Sequence, residues 1–525
     1  MTRSAMHPLL GIHALASLSS PARHQAVKAA SGSRDAWNGL YAKLQKMDAD
    51  TLQKYLPVVH DNLDPARIPD DQALEGRCMR STHWHIKPAY ESLRILLRVE
   101  QIPEVAALDL WSHAWQWIEF MEAHATSTSL EVGSPITEVF ATLLFCLSYF
   151  GARCNVDTLY KAAPSLHGVF ARIWMALTSM PNNRWGCHST DGLCFVLAYY
   201  YSDCDSVDQL IDNFESLGTF GSIVLKHLSQ VIEGCADTAT ASKVNAHAHM
   251  AKHLAERASG ARVLAETGGV PILIRALHAA STKFLDLFEG ENTIYDILSC
   301  LVLIFSSRPF YPDVAVAFEN NLIPAIMACA RSQRMRPLSR DALNQLKLLL
   351  TRTLPAAMVY SSVVRALAQG EKAMLSTADY WEPIGTDELL GTPLHEEYKG
   401  IMVLLATRLC DYDKFRSGAH SELRACDNHL CNIIQPTAKF KRCSMASKRT
   451  SHTMHPIITY SPKFPGSSDT LLHKRDDRFL RLIIQQHYMC SSFELLQQQL
   501  AYIRETRRTD FVLEFIYTEV FPTST

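Results

Sequence analysis

Leu264–Leu277 reads LAETGGVPILIRAL and Ala317–Ala330 reads AFENNLIPAIMACA, and laying the first over the second decides the fold. Glu266 and Pro271 fall on Glu319 and Pro324, and Gly268 falls on Asn321. Glycine and asparagine are the residue types that most readily take the left-handed backbone that ends a helix. Proline in turn is well placed in the opening turn of the next helix. Each stretch therefore predicts a helix, a tight corner and a second helix with apolar side chains at i, i+3 and i+4. Outward from this pair, helical periodicity runs along the chain from Asp35, with polar or Pro-rich breaks near Asp61–Gln72, His124–Pro135 and Thr377–Pro393. Strand-like alternation is scarce.

A helix, a Gly or Asn corner and a Pro-started helix, repeated, resembles an armadillo repeat. The resemblance covers about eighty residues, His253 to Arg331, and it implies a solenoid of antiparallel helix pairs. The offset of the two stretches is longer than the usual ~40 to 47 residues, which predicts an insertion within the unit. The expected fold class is all-α, with an armadillo-like helical domain over residues 1–418, a small module over 419–475 and a short helix and strand tail over 476–525.

Length and composition agree with a large helical body. The chain has 525 residues, 47% of them apolar, far more than one core requires. Lys and Arg number 51 against 53 Asp and Glu, so no net field gathers nucleic acid or an anionic membrane. The short basic runs KFKR and SKR between Lys439 and Arg449 read as a solvated loop. Fourteen irregularly spaced cysteines are unlike a secreted disulfide framework and predict a reducing compartment, cytoplasmic or nuclear.

No run is long and apolar enough to cross a bilayer. The best, Val139–Ala152, falls short of the ~18 to 20 residues needed and predicts a buried helix. The segment before Asp35 has a transit-peptide-like composition, rich in Ala and Ser with Arg3, Arg23, Lys28 and Arg34. Ser20 and Pro21 instead predict an N-cap and first helical residue of a structural helix. Leu108, Trp111, Trp115 and Ile118, widened by Trp117, Phe120 and Met121, form a stripe that belongs inside a helix stack. Phe195–Tyr201 reads the same way.

Four groups carry metal-ligand residue types. His249, His253 and Glu256 share one helix face, but Val244, Ala248, Ala251 and Ala255 form an apolar stripe opposite, which predicts a solvent-facing histidine pair. Cys78, His83 and His85 lie in one loop-like stretch, and Cys187, His188 and Cys194 in another, each short of four ligands at a recognised spacing. The fourth group opens CDNHLCNIIQPTAKFKRCS, Cys426 to Ser444. Its C-x4-C pair, Cys426 and Cys431, its eleven-residue spacer and its FKRCS end at Cys443 resemble the first half of a MYND-type zinc finger of fungal helical proteins. HPLL at the amino end, with LSSPARHQAVKAA after it, and DRFLR, FELLQ and DFVLEFIYT near the carboxyl end, are similar to the same family.

The family's ligands cross over, the first cysteine pair sharing one zinc with the third pair and the second pair sharing the other with a terminal His and Cys. By that resemblance Cys426 and Cys431 are the first pair and Cys443 begins the second, whose partner position holds Ala446. No cysteine follows until Cys490, and the histidines of the segment Ser447–Arg475 are His452, His455 and His473. A structural zinc takes four ligands, so the finger is expected to be degenerate and to hold at most one zinc ion. In the tail, Phe479, Leu482, Ile483 and Tyr488 predict a helix, and Phe511, Leu513, Phe515 and Tyr517 alternate as a strand.

Phosphate-loop, dinucleotide-binding, nucleophile-elbow and HExxH signatures are absent from the sequence, as is a SET-domain pattern. The expected function is a protein-protein interaction scaffold, not an enzyme, with another protein as its partner. A helical enzyme with a non-local active site is the alternative.

Overall fold

The computed structural model describes residues 6–70, 83–179, 187–233, 239–284, 287–307, 311–335, 337–376 and 392–417, the pairs 424–425 and 434–435, and residues 479, 482 and 483. The chain divides into two compact units, Met1–Leu254 and Ala255–Thr525. Both are helical.

The first unit contains α1 (Ser20–Ala30), α2 (Arg34–Leu44), α3 (Ala49–Gln53), α4 (Leu56–Asn62), α5 (Ile86–Leu96), α6 (Glu104–Ala123), α7 (Ala125–Val132) and α8 (Ile136–Gly151). It continues with α9 (Val156–Ala162), α10 (Leu166–Ser179), α11 (Cys187–Tyr200), α12 (Cys204–Ile211), α13 (Leu217–Glu233) and most of α14 (Ala239–Glu256). Several helices start on short polar caps. Asp48, Asn155 and Asp203 accept from the backbone N–H three residues on, at 2.8, 3.1 and 2.9 Å, satisfying a donor that the helix itself leaves open. The cap of α1 is Ser19, one residue before the expected Ser20. Ala26, Ala29 and Ala30 bury that helix against α2, as a structural first helix requires.

The second unit contains α15 (Gly260–Glu266), α16 (Gly269–Lys283), α17 (Phe288–Ser306), α18 (Tyr311–Glu319), α19 (Leu322–Met335) and α20 (Arg340–Leu348). A short π-helical turn (Leu349–Thr353), α21 (Leu354–Ala357), α22 (Ser361–Ser376) and α23 (His395–Ser417) follow. The two aligned stretches form the same corner. Gly268 and Asn321 both take positive φ, 79° and 66°, and the helices on either side turn by 93° and 73°. Pro271 and Pro324 occupy the third position of α16 and α19, still in the first turn where no helical N–H bond is lost. A third corner was hidden in a stretch that reads as a break. His124–Pro135 holds α7, and Gly133 at φ 70° turns the chain by 103° into α8. Its proline follows the glycine by two residues, not three, which takes it out of register with the other corners.

Several packed helix pairs in each unit share one offset. Within the first, α2 packs on α5, α8 on α11 and α10 on α13; within the second, α16 packs on α19, α17 on α20 and α18 on α22. In all six pairs the second helix starts 50 to 53 residues after the first. Side-chain hydrogen bonds keep the same step. Trp37 Nε1 donates to Glu91 over a separation of 54 residues, Tyr90 shares a bond with Thr142 over 52, and Arg153 reaches the Glu100 carbonyl over 53. Tyr200 Oη reaches the Leu147 carbonyl over 53, and Ser281 meets Cys329 over 48. The offset between the two aligned stretches thus recurs among packed helix pairs within each unit.

The apolar stripes fill this stack. Trp111, Trp115, Trp117, Ile118, Phe120 and Met121 of α6 are buried, as is nearly all of α8 from Val139 to Phe150. At the α8–α11 crossing Gly192 comes so close to Leu144 that a Cβ there would lie 3.0 Å from that residue's own. The expectation for Phe195–Tyr201 holds on one face only. Val196, Leu197, Tyr200 and Tyr201 are buried, whereas Phe195 and Tyr199, on the other side of α11, are 48% and 41% exposed. Among the described residues no single helix is long and apolar enough to cross a membrane.

Beyond α23, Arg424–Ala425 (β1) and Ile434–Gln435 (β2) pair antiparallel, Arg424 opposite Gln435 and Ala425 opposite Ile434. Phe479, Leu482 and Ile483 are helical and buried, and the Phe479 ring meets Tyr412 and Phe415 of α23 at centroid distances of 6.1 and 5.5 Å. The alternating stretch Phe511–Tyr517 lies outside the described residues.

Candidate functional site

The finger ligands Cys426, Cys431 and Cys443 lie outside the described residues, as do His452, His455 and His473.

The other sequence clusters come apart. Cys78 lies outside the described residues; His83–His85 forms one 3-10 turn leading into α5, where a loop was expected. The Trp84 and His85 rings meet at 3.8 Å, and burial, helped by the charge of Arg67, lowers the His85 pKa. Cys187 and His188 open α11 instead of a loop, and Cys194, two turns on, is buried. Burial pushes the Cys194 thiol up to about 12, which leaves it a packing residue and no thiolate.

His249 and His253 differ from expectation in an informative way. The stripe of Val244, Ala248, Ala251 and Ala255 is buried as the sequence implies. The opposite face is not open to solvent, however, because His253 is only 7% exposed and His249 is half-buried. The helix turn brings the two rings together edge to face, with Nε2 of one 3.0 Å from Nε2 of the other. Glu256 is exposed, and among the described residues no group of three or more His, Cys, Asp or Glu side chains is placed to hold a metal ion.

A second histidine pair shares α14 and escapes a local reading of the sequence. His247 is fully buried, and its ring stands 5.5 Å edge-on from that of His227 on α13. Trp174 of α10 donates its indole N–H to His227 Nδ1 at 2.9 Å. An indole only donates, so Nδ1 must carry a lone pair and His227 must be neutral. His247 Nδ1 donates to the Lys243 carbonyl at 2.8 Å, which fixes its tautomer, and its Nε2 has no hydrogen-bond partner. Burial holds both rings uncharged, His247 pushed down to about 4 and His227 well below the ordinary histidine range. Beside them Lys243 pairs with Asp191 of α11, and Lys226 reaches the Thr178 carbonyl. Trp174 and His227 are separated by 53 residues, one stacking step, and that is the signal that would have found the pair.

No known family model matches the chain, and no curated protein matches it.

Proposed function

We propose that the chain is a helical solenoid that serves as a protein-binding scaffold. The observation that carries this reading is the constant step of about fifty residues at which helices pack and side chains bond within each unit. An array in which each repeat touches its neighbours grows an extended surface without closing a single pocket, and such surfaces engage other proteins along their length. The alternative is a helical enzyme with a non-local active site. Affinity capture of the full-length chain, followed by reconstitution with the purified candidate and size-exclusion light scattering, tests the proposal. A saturable complex of fixed stoichiometry is expected. A chain that forms no complex and turns over a substrate overturns it.

The same reading takes Cys426–Ser444 as a degenerate finger at the end of the scaffold, holding at most one zinc through Cys426, Cys431 and Cys443. Metal analysis of purified full-length protein is expected to give one zinc or none that is lost in Cys426→Ser. Two zincs per chain, both lost in that variant or in Cys443→Ser, overturn the reading.

A further inference from the structure

We infer that His60 and His113 form an acid-sensitive joint between α4 and α6, closed while both rings are neutral and loosened when the pair is made to take up protons. Neither residue belongs to the finger or to the two histidine pairs that involve α14.

The joint is built from two rings on different helices. His60 lies near the end of α4 and His113 in the middle of α6, and the rings stack with 4.2 Å between centroids and 27° between planes. His60 is 8% exposed and His113 is half-buried. Each ring has a buried Nδ1 with no hydrogen-bond partner. Two neutral imidazoles tolerate this, because stacked aromatic faces pack as apolar surface. Two imidazolium ions do not. Each needs both of its N–H groups satisfied, and like charges at stacking distance repel strongly away from water.

The surroundings decide which ring resists the charge. Asp61 Oδ1, 3.6 Å from His60 Nδ1, is placed to meet a charge on His60. For His113, burial and then the charge of His60 lower the pKa, and the His60 carbonyl and the carboxylates of Asp64 and Asp61 offset only part of this. The other charged groups near the joint are committed or turned outward. Asp64 accepts from the Ala66 N–H, and Arg67 is held by the Asn62 side chain and the Ala30 carbonyl. α1 packs on α4 through alanines and leaves Arg23, His24 and Lys28 exposed. On α5, Glu91 takes the Trp37 N–H and stands 3.9 Å from Lys87, while Arg94 pairs with Glu138 of α8 at 3.3 Å. On the far side of α6, Arg172 of α10 pairs with Glu122, His167 stacks on Tyr160, and Asp157 and Lys161 of α9 are exposed. Asp109, one turn before His113, accepts from the His7 N–H at 2.8 Å. The amino-terminal turn Pro8–Leu10 packs on α4, so it spans the joint and is freed with it.

The sign of the effect comes from linkage. Once the joint opens, His113 binds a proton at the ordinary ~6.5, and while closed it binds one only at lower pH. The closed form is therefore fully favoured above about pH 6.5 and loses ground as pH falls through that value. One withheld proton makes opening up to about tenfold easier at about pH 5.5 than at about pH 7.5.

Hydrogen exchange of full-length protein, read by mass spectrometry at these two pH values with labelling matched to the intrinsic rates, measures that opening locally. Protection over Leu56–Asn62 and the middle of α6 is expected to fall by up to about tenfold more than that of α8. His113→Phe keeps a ring in the stack without the titration and is expected to remove the difference. His113→Gln, which also does not titrate, is expected to do the same and guards against a phenylalanine that packs badly. No extra loss at α4 and α6 in the wild type overturns the inference, as does a loss that persists in both variants. A loss removed by His247→Met belongs to the other buried pair and overturns it too.

Discussion

His247 and His249 stand two residues apart on one helix, about 200° apart around its axis, and their surroundings differ completely. His247 looks into the stack, where Trp174, His227 and the Lys243 carbonyl surround it; His249 looks away and meets the buried His253 one turn on. The lesson is that residue type says little about chemistry until the stacking step is known. A ring that faces the next repeat is dry, tautomer-fixed and neutral. A ring on the other face, such as that of His249, is half-buried.

The largest effect that tests this contrast is at Trp174. Its ring packs among Phe170, Phe214 and Phe220 at centroid distances of 5.6, 6.0 and 5.8 Å while its N–H holds His227. Trp174→Ala is expected to cost about 3 to 5 kcal/mol in urea denaturation, from lost packing and the cavity left behind. Trp174→Phe keeps most of the packing and removes the donor, so about 1 to 3 kcal/mol is expected. If Trp174→Ala proves as mild as a change at His249, the two sides of the helix are not different environments.

Acid gives the next effect. The His247 pKa is held at about 4 in the folded protein, against ~6.5 unfolded, so the unfolded chain binds its proton first as pH falls. The neutral ring therefore contributes its full stability above about pH 6.5. That contribution is lost between about 6.5 and 4, and amounts to about 3 kcal/mol over the whole window. His227 adds to it with the same sign. Glu91, whose pKa burial raises, acts in the opposite direction, so the comparison must be between variants. His247→Met keeps the volume and removes the titration. It is expected to flatten the fall in urea midpoint between pH 7 and pH 4.5, and an unchanged slope would show that these rings are not the acid-sensitive element.

Much of the fold was legible because the corners are written in residue types with a backbone reason. Gly268 and Asn321 could be matched across the gap because few other residues accept φ near 70°. Gly133 carries the same signal, but with Pro135 one place closer it reads as a break. The offset of the two stretches recurs among packed helix pairs within each unit, whereas the sequence alone sets it against a shorter repeat with an insertion. A single pair cannot tell a long period from an insertion, and only the bonds at Trp37–Glu91, Tyr90–Thr142 and Tyr200–Leu147 make it general. The candidate site was less legible. Helical periodicity located the buried stripe of α14 correctly, yet it says nothing about what covers the other face, so His253 was placed in solvent. His227 and His247 meet only through the fold, and no local pattern marks either. The finger rests on the resemblance of Cys426, Cys431 and Cys443 alone.

The smallest effect sharpens the contrast most. His249→Ala removes one hydrogen bond to His253, worth about 1 kcal/mol net. It also replaces a moderate helix former by the best one in the interior of α14, which returns about 0.5 kcal/mol. The two changes nearly cancel, so the urea midpoint at pH 7 should move by less than about 1 kcal/mol in stability, in either direction. A loss at His249 as large as that at Trp174 would mean that this face too is part of the packed core.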